Sequence, residues 1–209
     1  MATKKKSSTT IRQAAATAPS PENVIWNVPN VITMIRLVLS IAVFVLIPLH
    51  QFTAALIVFV VAASTDWADG YWARKYGQVT KLGRVLDPFV DKIIICGTFI
   101  FLAAEPNSGI TAWMATVVMG REMLVTALRS VIEGSGGDFS AKWAGKVKMV
   151  VQCVAVVASL IVLRHLAIYQ DTRPVEDWLR YTLIASAWGA ILITIYSGLE
   201  YVLIAARKM

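Results

Sequence analysis

The stretch Asp66–Lys92, DWADGYWARKYGQVTKLGRVLDPFVDK, decides how this chain is read. It follows an apolar run that ends near Ser64, and a second run, IIICGTFIFLAA, begins directly after it. Four aspartates and a cluster of bases therefore stand between or inside two apolar segments. Asp66 and Asp69 are three residues apart, about 60° on a helix, so they share a face. Gly70 and Ala73 fall on the same stripe, and Arg74 lies one residue off it. Asp87 and Asp91, four apart, share a face of the next helix.

Working outward, the surroundings are those of a bilayer protein. Of 209 residues, 57% are hydrophobic, against about 45–50% in soluble domains. The mean hydropathy is +0.63. A helical span takes about 20 mostly apolar residues. Six segments qualify: Val31–Leu49, Phe52–Arg74, Leu82–Ala104, Ile110–Glu133, Trp143–Leu163 and Trp178–Ala206. The expected fold is an all-α integral membrane bundle of six transmembrane helices. Residues 1–26, rich in Ser, Thr, Ala and Pro, are expected to be a disordered cytoplasmic tail, with a membrane domain over 27–209. The first apolar run starts too late for a cleavable signal peptide. Cys96 and Cys153 lie inside apolar runs and are expected to be small core residues, not a disulfide or a metal pair.

Loop charges orient the bundle. With the N-terminus in the cytoplasm, 13 of the 20 Lys and Arg residues fall on the cytoplasmic side. Arg164, Arg173 and Arg180 fall outside with Asp171, Glu176 and Asp177. This asymmetry accounts for the net charge of +7 without a nucleic-acid partner. It also puts both aspartate pairs at the cytoplasmic end of neighbouring antiparallel spans.

Four carboxylates brought together near lipid repel one another and lose water. The remedies are protonation, a basic partner or a metal cation. Carboxylate oxygens suit hard divalent ions such as Mg²⁺ or Mn²⁺. Two such ions roughly 4 Å apart can clamp a phosphoryl displacement, and Arg74 can hold a phosphate. Plainer readings stand beside this one. Asp87 before Pro88 can be a helix N-cap, or Thr80 can cap a helix that already includes Asp87 and bends at Pro88. Asp91 and Lys92 can be solvated at the interface. An ion-coupled transporter is a further alternative, although it calls for charges aligned through the bilayer depth rather than gathered at one end.

The pattern D-x2-D-G-x2-A-R-x8-G-x3-D-x3-D, here Asp66, Asp69, Gly70, Ala73, Arg74, Gly83, Asp87 and Asp91, is the signature of the CDP-alcohol phosphotransferases, which this chain resembles without departure. The resemblance implies an enzyme that attacks the pyrophosphate of a CDP-linked substrate with an alcohol and releases CMP. It implies a divalent metal, Mg²⁺ or Mn²⁺ and two ions, held by Asp66, Asp69, Asp87 and Asp91. Asp91 is then also the general base. Asp69, Gly70, Ala73, Arg74 and Gly83 are then on the nucleotide side: the glycines leave space for cytidine, Ala73 packs closely against a neighbouring helix and Arg74 steadies the phosphates. The family also suggests a homodimer.

Further residues bear on the acceptor. An unpaired Arg near mid-span costs roughly 2.5–3.5 kcal/mol to insert, so Arg121 is expected to face the bundle and meet an anion. That anion is a substrate or, in the structural alternative, Glu122 or an aspartate. Arg129 follows two turns later, and Lys146 and Lys148 open the fifth span. A basic pocket of this kind suits a phosphorylated acceptor. Three segments, NVPNVITMIRLVLS, GREMLVTALR and GKVKMVVQ, resemble the matching stretches of bacterial phosphatidylglycerophosphate synthases. Met149 stands where many members have Thr. The implied reaction joins CDP-diacylglycerol to glycerol 3-phosphate at the cytoplasmic face of a bacterial inner membrane. Arg121, Arg129 and Lys146 would bind the acceptor phosphate; Asn30, Thr33 and Lys148 are further site candidates, Thr33 on the nucleotide or the acceptor side. For Thr33, a bond to its own helix backbone is the equal alternative. Sister enzymes that use inositol phosphate, serine or phosphatidylglycerol share the aspartate signature, so only the acceptor pocket separates them.

Overall fold

The computed structural model describes residues 28–76, 81–134, 143–169 and 174–208. Side chains at 66–76, 81–85, 87–88 and 146, and at several helix ends, lie outside the described ones. The expectations for the tail and for Thr80 fall outside the described residues altogether. Among the described residues there are six helices and no strand: α1 Val28–Leu46, α2 Phe52–Tyr76, α3 Lys81–Ala104, α4 Ala112–Gly134, α5 Trp143–Tyr169 and α6 Asp177–Lys208.

Every apolar segment lies on one of these helices, with ends moved by local chemistry. α1 stops at Leu46 rather than Leu49, because Pro48 disfavours helical geometry at the residue before it, and the chain turns through His50 at φ 55°. α4 starts at Ala112 rather than Ile110. Asn107 (φ 63°) and Gly109 (φ 72°) are left-handed, and the Ile110 amide donates to Ser108 Oγ at 3.2 Å. α3 already runs from Lys81, so Asp87 is inside the helix and not at its N-cap. The backbone bonds of a helix established upstream carry the chain through Pro88.

α1 packs on α2 and α3, α5 on α6 and α2, and α4 on α6 and α3. All six helices meet in one core, to which Val43, Phe59, Phe99, Val118, Val156 and Ile191 each bring one side chain. α1 and α3 come close at Gly97. A Cβ there would lie 2.2 Å from Phe44, whose ring is stacked on Phe101 at 5.2 Å. Cys96 and Cys153 are free and pack against the core, as their apolar surroundings imply.

The bundle buries polar groups beside its apolar core and turns apolar side chains outward. On α1, Asn30, Thr33, Arg36 and Ser40 are buried, while Val38, Ile41 and Val45 are more than half exposed. On α6, Ser186, Thr194 and Ser197 are buried and Leu192, Leu199 and Leu203 are exposed. Some inner polar groups bond between elements: Gln152 Nε2 of α5 donates to Thr194 Oγ1 of α6 at 3.0 Å, and Ser159 Oγ to the Ser108 carbonyl of the α3–α4 loop at 2.7 Å. A surface of this kind suits lipid, where polar groups must find partners inside the protein. Val147–Tyr169 and Asp177–Ala206 are long and apolar enough to cross a membrane, and α1 and α2 contain shorter apolar stretches, Asn30–Leu46 and Phe52–Thr65.

Candidate active site

The aspartate signature is divided between two helices. Asp66, Asp69, Gly70, Ala73 and Arg74 occupy the last three turns of α2, and Gly83, Asp87 and Asp91 the first three of α3. α2 ends at Tyr76 and α3 begins at Lys81, so both halves of the motif share one end of the bundle. α1 packs against both helices. The side chains of all these residues except Asp91 lie outside the described ones.

Asp91 is partly exposed and forms an ion pair with Arg36 of α1. Arg36 is fully buried, and its own carbonyl accepts a 2.8 Å bond from Ser40 Oγ. Sequence reading placed Arg36 inside a span without assigning it a partner. The unpaired-charge argument applied to Arg121 finds Arg36 equally well, since a buried guanidinium at that position must meet an anion.

Asp91 also lines a cavity of about 610 Å³ between α3, α4, α5 and α6. α4 contributes Arg121, Val125 and Arg129, spaced one helical turn apart, together with Glu122. α5 contributes Gly145, Lys148, Met149 and Gln152, again on one stripe, and α6 contributes Tyr201. Arg121 and Arg129 thus line the same cavity. Lys146 lies on α5 two residues from Lys148, its side chain outside the described ones, and Lys148 is the residue of that pair that lines the cavity. Asn30 and Thr33 are buried on the α1 face that carries Arg36, and they do not line the cavity.

Glu122 organises the cations. Its Oε1 accepts from Arg121 Nη1 at 3.2 Å and from the Lys148 ammonium. All three residues are buried. The structural alternative for Arg121 is therefore present, but it uses one corner of the guanidinium. Nε and Nη2 are buried and meet no acceptor among the described residues. The Arg121 Cζ lies 5.4 Å from the centroid of the Tyr201 ring, a cation–π contact that holds the guanidinium plane. Gly198 makes room for the stem, since a Cβ there would lie 3.1 Å from Arg121 Cγ. Tyr201 and Gly198 carry no sequence motif that would have marked them.

A divalent cation fits the donor chemistry of the signature, which offers carboxylate oxygens only. Asp91, the described member, is open enough at 30% side-chain exposure to reach an ion. Among the described residues there is no cluster of three or more His, Cys, Asp or Glu with metal-binding geometry.

Comparison with known proteins agrees with this geometry. The family model for CDP-alcohol phosphatidyltransferase matches residues 26–196. A CDP-diacylglycerol–glycerol-3-phosphate 3-phosphatidyltransferase of Bacillus subtilis is 35% identical over 192 residues, covering 84% of this chain and 93% of the relative. The Escherichia coli K12 protein of the same name is 34% identical over 188 residues, covering 87% and 96%. With the signature intact, the helices in place and the match running through most of the chain, this protein belongs to the CDP-alcohol phosphatidyltransferase family of membrane-bound transferases.

Proposed function

We propose that the protein transfers the phosphatidyl group of CDP-diacylglycerol to sn-glycerol 3-phosphate, giving phosphatidylglycerophosphate and CMP. The observation that carries this reading is the buried Arg121, whose Nε and Nη2 meet no acceptor among the described residues, in a cavity shared with Arg129, Lys148 and Asp91. A guanidinium edge is matched to a phosphate by two parallel N–H bonds. An acceptor without an anionic group would leave that edge unsatisfied. The names of the relatives point to the same pair of substrates.

In this reading Arg121, Arg129 and a Lys of α5, Lys146 or Lys148, hold the acceptor phosphate. Asp91 takes the proton of the acceptor's primary hydroxyl. The freed oxygen attacks the phosphorus next to diacylglycerol, the P–O bond to the second phosphate breaks, and CMP leaves with that electron pair. Asp69, Gly70, Ala73, Arg74 and Gly83 form the nucleotide side, with Asn30 and Thr33 as further candidates. Asp66, Asp69, Asp87 and Asp91 would hold two Mg²⁺ or Mn²⁺ ions, which when bound neutralise charge on the pyrophosphate. The proposal includes six spans over residues 27–209, a cytoplasmic tail over 1–26, a cytoplasmic active site in a bacterial inner membrane, and a homodimer. The acyl tails enter from lipid between helices.

The test supplies purified protein with CDP-diacylglycerol and competing acceptors: glycerol 3-phosphate, inositol phosphate, serine and phosphatidylglycerol. The lipid product is identified by mass. Phosphatidylglycerophosphate is the expected product, and a different headgroup as the main product overturns the assignment.

A further inference from the structure

The α4 and α5 walls of the cavity are not a packed helix pair among the described residues. The Glu122 carboxylate links them, holding Arg121 of its own helix and Lys148 of the other. An acid in a pocket meant for a phosphate opposes the ligand's charge, so its presence calls for an explanation. It is not one half of a simple pair: one oxygen serves two cations.

The planar guanidinium explains the arrangement. Nη1 is taken by Glu122, the flat face is covered by Tyr201, and the stem runs beside Gly198. Nε and Nη2 lie together on one edge of the group, the edge that makes bidentate bonds to phosphate and carboxylate. These are the two nitrogens that meet no acceptor among the described residues. A free Arg side chain samples many rotamers, and fixing it before the ligand arrives removes part of the entropy lost on binding. Glu122 also holds the Lys148 ammonium, which would otherwise repel Arg121 or compete with it for the ligand.

We propose that Glu122 is a positioning residue for the acceptor. By occupying Nη1 of Arg121 and the ammonium of Lys148, it presents the Nε–Nη2 edge of Arg121 to a phosphate monoester. This rests on the functional reading above. The selectivity that follows is for acceptors carrying a terminal phosphate, and it acts on acceptor binding, not on the nucleotide-linked lipid.

The experiment uses the full chain in lipid nanodiscs with Glu122→Gln, which keeps the shape and removes the charge. KM is measured separately for glycerol 3-phosphate and for CDP-diacylglycerol. Thermal protection by glycerol 3-phosphate alone is followed as a readout without turnover. The expected result is an acceptor KM raised by about tenfold, lost thermal protection, and a CDP-diacylglycerol KM within about twofold of the parent. An acceptor KM within that same range, or a parallel rise for both substrates, overturns the proposal, because a purely structural acid affects both substrates alike. If Glu122→Gln does not fold, Glu122→Asp is measured in the same way; its shorter carboxylate cannot span both cations, and the same selective rise is expected. A parent enzyme that makes no phosphatidylglycerophosphate overturns the functional reading and this inference with it. A parent that makes the product while the variants keep their acceptor KM overturns this inference alone.

Discussion

A guanidinium buried in an apolar bundle has to meet an anion, and Arg36 and Arg121 meet theirs differently. Arg36 pairs with Asp91, the residue to which we assign the acceptor's proton. The pair holds Asp91 at the cavity wall, where a partly exposed carboxylate can meet a hydroxyl. Asp91→Asn keeps the shape and removes both the charge and the base. CMP release is expected to fall by about 10²–10⁴-fold, the usual range for a general base, with folded protein still in the membrane fraction. A CMP assay on that variant decides the matter, and near-normal turnover would remove Asp91 from the chemistry. Arg121 instead pairs at one corner, and its second edge is uncommitted among the described residues.

Elements place these side chains. α6 is the longest helix, and it carries Gly198 and Tyr201 against α4. Tyr201 covers the guanidinium, and Gly198, one turn earlier, lets the stem pass. Gly198→Ala would put a Cβ 3.1 Å from Arg121 Cγ, so the stem must shift by a few tenths of an ångström. The expected effect is an acceptor KM raised by about fivefold, roughly 1 kcal/mol, with the CDP-diacylglycerol KM unchanged. Steady-state kinetics with each substrate varied in turn measures it; equal KM values for parent and variant would show that the stem has slack. α2 and α3, which carry the two halves of the signature, both pack against α1. Those helices were legible because apolar length and turn residues are local signals. Their ends were less so: Pro48 and the left-handed Asn107 and Gly109 moved two boundaries by a few residues.

At the scale of the whole molecule, the fold is a bundle with polar groups inside and apolar side chains outside. Burying polar groups in this way lets charged residues collect at one end without exposing them to lipid. The same end holds the signature and the basic cavity, so a lipid-linked nucleotide and a soluble phosphate can be joined there. If the carboxylates hold divalent ions, a chelator will stop CMP release and added Mg²⁺ or Mn²⁺ will restore it. The assay is turnover in nanodiscs with and without chelator, and a full rate in its presence would dismiss the metal role.

The amino-acid order alone gives the all-helical membrane class, the helix positions, the family and the set of carboxylates and bases from which a site is built. Each is written in spacing along a single segment: apolar length for a span, three- and four-residue intervals for a shared face, eight fixed positions for the signature. How those groups are paired emerges from the folded bundle. Arg36 meets Asp91 across 55 positions and Lys148 meets Glu122 across 26, while Tyr201 and Gly198 reach Arg121 from another helix. Such partners are set by how the whole bundle assembles around the cavity rather than by any one interval of the chain.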